Sequence, residues 1–161
     1  MDDHATDMIG VTREQRALAV LRVALGAMFV WVFFENLGKG AYTPAGYKGV
    51  IDYYVKNGHS PAVWKSLISV MAANASIVAP LQAMTELGFG VFLVAGAATR
   101  LVAAAAGAFL FSLWVSELGT SWVWELGMPV IVAFSVAYGR AGRAWGVDTL
   151  LARRYPGWRL G

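Results

Sequence analysis

Four glutamates, Glu35, Glu86, Glu117 and Glu125, stand inside or at the rim of stretches that otherwise carry very few charges. A carboxyl group in such surroundings can hold or deliver a proton, the chemistry a water-poor medium most often asks of Glu. Glu86 is the candidate with the best-defined neighbours. Asn74, Val78, Gln82 and Glu86 recur every four residues, which puts three polar groups on one helical stripe. The carboxyl would be the proton donor, and Gln82 and Asn74 the amide donors beside it. Glu117 and Glu125 bracket Gly119-Thr120-Ser121. They read either as rim charges in water or as a route from Glu86 to water. Glu35 and Lys39 stand four apart, as an interfacial ion pair or as part of a substrate-binding rim.

These residues need helices to position them, and the medium must be lipid. The apolar set makes up 58% of the 161 residues, charged residues only 14%, and the net charge is +3, which is wrong for a soluble domain of this size. The apolar stretches run over 17–37, 77–98, 101–118 and 122–138. Each is close to the length needed to cross roughly 30 Å of hydrocarbon at roughly 1.5 Å per residue. Non-helical backbone in lipid would leave amides unpaired, so the expected fold is an all-α, four-helix membrane bundle in one domain, residues 1–161. Thr12-Arg13-Glu14-Gln15 reads as a capping box that starts the first helix in water. The first stretch is too long for a cleavable leader and is expected to stay as an anchor. Counted from Ile77, Glu86 lies about 14 Å into the second span, near the midplane. A carboxyl there costs at least about 2.5 kcal/mol unless it is protonated, paired or wet. Pro80 and Pro129 would free the carbonyls of Ser76 and Glu125.

The connection 38–76 is too patterned for a bare loop. Pro44 to Val55 forms a short helix with Tyr47, Ile51 and Tyr54 on one face, and Asn57-Gly58 stops it. Pro61 to Ala73 carries Val63, Trp64, Leu67, Ile68 and Met71 at helical spacing. Run on without a break to Ala98 it would measure about 57 Å, so a bend is needed near Asn74 or Pro80. The two pieces are expected to form a cap over the outer mouth. The tail 139–161 is expected to be interfacial, with Trp145, Val147, Leu150 and Leu151 among Asp148, Arg153 and Arg154.

All nine arginines fall on one side of this arrangement and all four lysines on the other. The positive-inside rule then places both termini in the cytoplasm, the 38–76 cap outside, and the chain in the cytoplasmic (inner) membrane. Arg22, far from the glutamates, is expected to anchor a lipid headgroup or a neighbouring helix.

With no cysteine, disulfides and thiolate metal sites are excluded. His4 and His59 lie outside the spans, so neither haem nor metal is expected, and no nucleic-acid partner is implied. Trp31, Trp64, Trp114, Trp122 and Trp124 gather toward the outer half. They read either as a membrane aromatic belt or as walls for a quinone headgroup, with Trp114 and Trp122 nearest the glutamate turn.

The run Arg22-Val-Ala-Leu-Gly-Ala-Met-Phe-Val-Trp31, then Glu35-Asn-Leu-Gly-Lys39, resembles the opening of DoxX/DoxD-like membrane proteins. Tyr42-Thr-Pro-Ala-Gly46, the amphipathic pieces after it and Glu86 extend the likeness over nearly the whole chain, which looks closest to the DoxD branch. That resemblance implies the membrane subunit of a thiosulfate:quinone oxidoreductase, with quinone as acceptor and a smaller DoxA-type partner subunit. Four outer lysines could draw a divalent anion, or could only solubilise the cap. Two other functions compete: a non-catalytic accessory subunit of a respiratory or oxidative-stress complex, and a small proton-coupled exporter. Four-helix exporters of that type carry their essential Glu in mid-span one, whereas Glu35 is at the rim. Lipid contact is required, and a homo-oligomer remains open.

Because the chain lacks cysteine, Lys48→Cys and Arg143→Cys report the orientation directly. An impermeant maleimide is expected to label the first in intact cells and spare the second; the opposite pattern would reverse the topology.

Overall fold

Seven α-helices and one 3-10 turn account for most of the residues that the computed structural model describes, 12–139, 141–155 and 157. His4, Arg140 and Arg159 lie outside them. The order is α1 (Arg13–Gly38), α2 (Pro44–Asn57), α3 (Ala62–Ala73), α4 (Ala75–Ala95), α5 (Thr99–Ser116), α6 (Val123–Tyr138), the 3-10 turn Ala141–Arg143 and α7 (Val147–Arg154). Helices α1, α4 and α5 are long and apolar enough to cross a membrane. Helix α6 is apolar but has 16 residues, about 24 Å at roughly 1.5 Å per residue, and falls short of that length. It packs along α5 and α1 as the fourth member of the bundle. Leu21, Trp31, Phe34, Ile77, Leu81, Met84, Phe92, Leu101, Phe111 and Ile131 point outward, the inverse of a soluble surface.

The capping box at the start of α1 is present: Gln15 N–H donates to Thr12 Oγ1 at 3.3 Å and Thr12 N–H to Gln15 Oε1 at 3.1 Å. Antiparallel α1 and α4 meet at two glycines. A Cβ on Gly26 would lie 2.8 Å from the Val94 nitrogen, and one on Gly90 would lie 3.1 Å from the Val30 nitrogen. Backbones this close exclude any larger side chain, the way helices gain packing in lipid. Beside this crossing Phe29, Phe89 and Phe109 form a ring cluster with centroids 5.4–6.3 Å apart.

The bend between α3 and α4 falls at Asn74 (φ −107°, ψ 29°), while Pro80 is carried inside α4. Helices α2 and α3 fold back as a cap whose Tyr47, Ile51, Ile68 and Ala72 pack on Ala75 and Ala79. Hydrogen bonds tie the cap to the end of α5, where a helix leaves carbonyls without partners. Ser60 Oγ donates to the Val115 and Ser116 carbonyls (2.7 and 3.1 Å), Trp64 Nε1 to Ser116 Oγ (2.9 Å), and His59 N–H to the Leu118 carbonyl (2.5 Å).

The tail differs from the expected interfacial segment. Exposed Trp145 and Leu150 suit an interface, but Asp148 is fully buried and works inside the bundle. Its carboxylate accepts from the Ala98 and Thr99 N–H groups, both at 2.8 Å. Helix α5 has no side-chain cap of its own and starts after Ala98 in a left-handed conformation (φ 48°). Asp148 therefore caps it from another helix, where a negative charge also suits the helix dipole. Arg22, expected to anchor lipid or a helix, is buried and donates to the carbonyls of Ala141, Ala144 and Trp145 at 3.0–3.2 Å. A Cβ on Gly96 or Gly146 would collide with its guanidinium, and one on Gly142 with Asp148. The opposite charges of Arg22 and Asp148 also attract.

Hydrogen bonds to a charged acceptor are worth roughly 1.5–3 kcal/mol each, so Asp148→Ala is expected to cost about 3 kcal/mol or more. Asp148→Asn, which keeps one acceptor, should recover part of it. Thermal unfolding in detergent reads the difference, and an unchanged midpoint for Asp148→Ala would remove the capping role.

Candidate functional site

The α1–α4 register that sets Gly26 against Gly90 also sets the end of α1 beside Glu86. Asn36 lies seven residues from Phe29 and fourteen from Arg22, and so shares their buried stripe. Its Nδ2 donates to Glu86 Oε2 at 3.3 Å. Gln82, one turn before Glu86 on α4, donates from Nε2 to Oε1 at 2.8 Å. The third donor comes from the short α1–α2 connection: the Tyr42 hydroxyl donates to Oε2. Its ring stacks on Phe33, centroids 5.6 Å apart and planes 27° apart.

Glu86 is 2% exposed, and no cation among the described residues pairs with it. Three neutral donors from three segments surround the carboxyl. Helical side chains lean toward the N-terminus of their helix, which for α4 is the cap end. The carboxyl therefore rises to meet the last turn of α1 and the Tyr42 connection. Burial, and then the hydrogen bond to Glu86, hold the Tyr42 phenol well above its ordinary value, so it remains a donor.

A second carboxylate centre closes the cap end of α5. Glu117 accepts from the Tyr54 hydroxyl at 2.8 Å and from Ser121 Oγ at 3.1 Å. Burial first, then the charge of Glu117, push the Tyr54 phenol up. The turn is tight: Gly119 has φ 85°, and a Cβ there would strike the His59 ring. Trp114 and Trp122 line a cleft of about 60 Å³ with Glu117 and Leu126, and Trp114 Nε1 donates to the Val123 carbonyl at 2.7 Å. Ligand pockets usually measure about 300 Å³ or more, so this cleft does not enclose a headgroup as it stands.

The remaining candidates scatter. Asn74 is exposed, and its Nδ2 donates to the Val70 carbonyl at 2.8 Å, so the Asn74–Gln82–Glu86 stripe is broken at its first member by the bend. Glu35 and Lys39 form an exposed ion pair at 2.5 Å. Glu125 is exposed, near enough to Tyr54 to act on it through charge. Asn36 and Tyr42 join Glu86 without standing among the residues that the sequence pattern singles out for the site. Asn36 carried a signal in its heptad spacing from Phe29, while Tyr42 sits in a connection with no periodicity to read.

No curated protein and no solved structure matches the chain. A family model does: DoxX, over residues 17–117. The matched stretch runs from the first turns of α1 to Glu117 and contains Asn36, Tyr42, Gln82 and Glu86. It is well over half of the sequence, and the chain therefore belongs to the DoxX family.

Proposed function

We propose that this chain is the membrane subunit of a quinone-linked oxidoreductase, passing electrons from a small sulfur anion of the thiosulfate type to membrane quinone. Reduction of a quinone takes up two electrons and two protons, so a site for it needs a proton-bearing group and donors that orient the carbonyl oxygen. The observation that carries the reading is Glu86: a buried carboxyl without a cation, held among two amides and a phenol. Intramembrane carboxyls in such surroundings mark proton-handling sites by default. Asn36 and Gln82 are only half-buried, which leaves the centre within reach of the lipid-facing side of the α1–α4 seam.

The sulfur anion belongs to a small partner subunit of the DoxA type. The cap lysines favour this division, because Lys39 is paired with Glu35, Lys48 with Asp52 at 2.6 Å, and Lys65 donates to the Gly58 carbonyl at 2.7 Å. Two of the four cap lysine charges are thus offset by a carboxylate, which weakens the field available to gather a dianion. In this reading α6 is the fourth span, both termini are cytoplasmic, and the cap faces outward from the cytoplasmic membrane. Glu117 and Glu125 would connect the cap end to outer water.

A non-catalytic accessory subunit is the competing reading, favoured by the donors themselves: Asn36, Tyr42 and Gln82 together serve both oxygens of Glu86, as a purely structural carboxyl would require. Glu86→Gln separates the two. It preserves shape, and a flip of the Gln82 amide gives its new NH2 group an acceptor, but it gives up no proton. Quinone reduction by the purified complex is expected to fall about a hundredfold or more, the range for losing a general acid, with the thermal midpoint held. Full turnover in the variant would take Glu86 out of the chemistry.

A further inference from the structure

Tyr42 is itself an aromatic hydroxyl, and its surroundings have the form of a binding site for one. The ring lies flat against Phe33. The hydroxyl donates to Glu86, and the Asn36 amide also faces the phenol oxygen. A carboxylate acceptor, an amide donor and a π face are the three contacts that recognise a hydroquinone headgroup by one of its hydroxyls. We infer that Tyr42 is an internal occupant of this site, standing where the hydroxyl of a quinol binds, and that ligand binding displaces it.

The location of Tyr42 makes this possible. It belongs to the short connection between Gly38 and Pro44, outside both flanking helices, where Gly40 turns the chain at φ 70°. Rotation about two side-chain bonds withdraws the ring without shifting α1 or α4. What remains is the buried Glu86 beside the half-buried Asn36 and Gln82 on the α1–α4 seam. An occupant that must leave lowers the apparent affinity of the ligand by the fraction of time it is out. Tyr42 would thus keep Glu86 satisfied while the site is empty and set a threshold for binding. The inference rests on the quinone-linked reading above.

The test measures binding of a water-soluble benzoquinol with a short isoprenoid tail to the full chain in detergent, by equilibrium dialysis. Tyr42→Ala is expected to bind about tenfold tighter than the natural chain, matching the loss of one competing hydrogen bond to a charged acceptor. Tyr42→Phe keeps the ring and its stack on Phe33 and should bind severalfold tighter, which carries the test if the alanine variant folds poorly. Adding Glu86→Gln to either should abolish the gain. Equal or weaker binding in both Tyr42 variants overturns the inference, making Tyr42 a wall or a partner of the ligand. Quinone reduction by the natural complex decides separately whether the functional reading stands: turnover with no gain in affinity sinks the inference alone, and absence of turnover sinks both.

Discussion

Everything at the two ends of this molecule depends on how closely α1 and α4 approach in the middle. With Gly26 and Gly90 in backbone contact, and Val94 and Val30 already seated in the space each glycine leaves, the antiparallel register has no freedom to slip, since a shift would set those valines against residues that carry a side chain. That register carries Arg22 to Gly96 at one end and Asn36 to Glu86 at the other. In lipid the hydrophobic effect does not hold helices together, so such a contact has to be geometric.

The two ends solve the same problem differently. Each buries a carboxylate where water cannot serve it, and each surrounds it with donors. Asp148 takes backbone N–H groups at the start of a helix, rigid donors that cannot turn away. Glu86 takes side chains, two amides and a phenol, all able to rotate. Fixed donors suit a joint, and movable ones suit an exchange of partners. The neighbouring charge differs as well, for Asp148 has the attraction of Arg22, while no cation among the described residues pairs with Glu86. On these grounds Asp148 is a structural cap, and Glu86 is the carboxyl to which the proposed chemistry is assigned.

The helices, the cap and the first capping box were legible because each rests on local chemistry: apolar length, Thr-x-x-Gln, Pro at a helix start, Asn-Gly at a stop. Glu86 was legible because a carboxyl in an apolar run is costly wherever it points. Its partners were less so. Charge drew attention to Glu35, but adjacent positions on a helix face about 100° apart, and it is Asn36 that turns inward while Glu35 pairs with Lys39 at the surface. Tyr42 and Asp148 act across 44 and 50 residues of sequence, and nothing in local spacing announces such contacts. Asn74 failed for the opposite reason: its four-residue spacing was real, but the helix that would have made it meaningful bends there.

The cap that Asp148 places on α5 has a consequence for the order in which the molecule becomes complete. Proteins are made from the N-terminus, and the family-matched stretch, α1 through α5, emerges well before residue 148. Until then α5 begins after a left-handed Ala98 with its first amides unserved, and Arg22 waits for carbonyls not yet synthesised. The stretch that the family model matches thus lacks this fastener until the residues after α6 have been made. This end of the bundle cannot shut before residue 148 has been made.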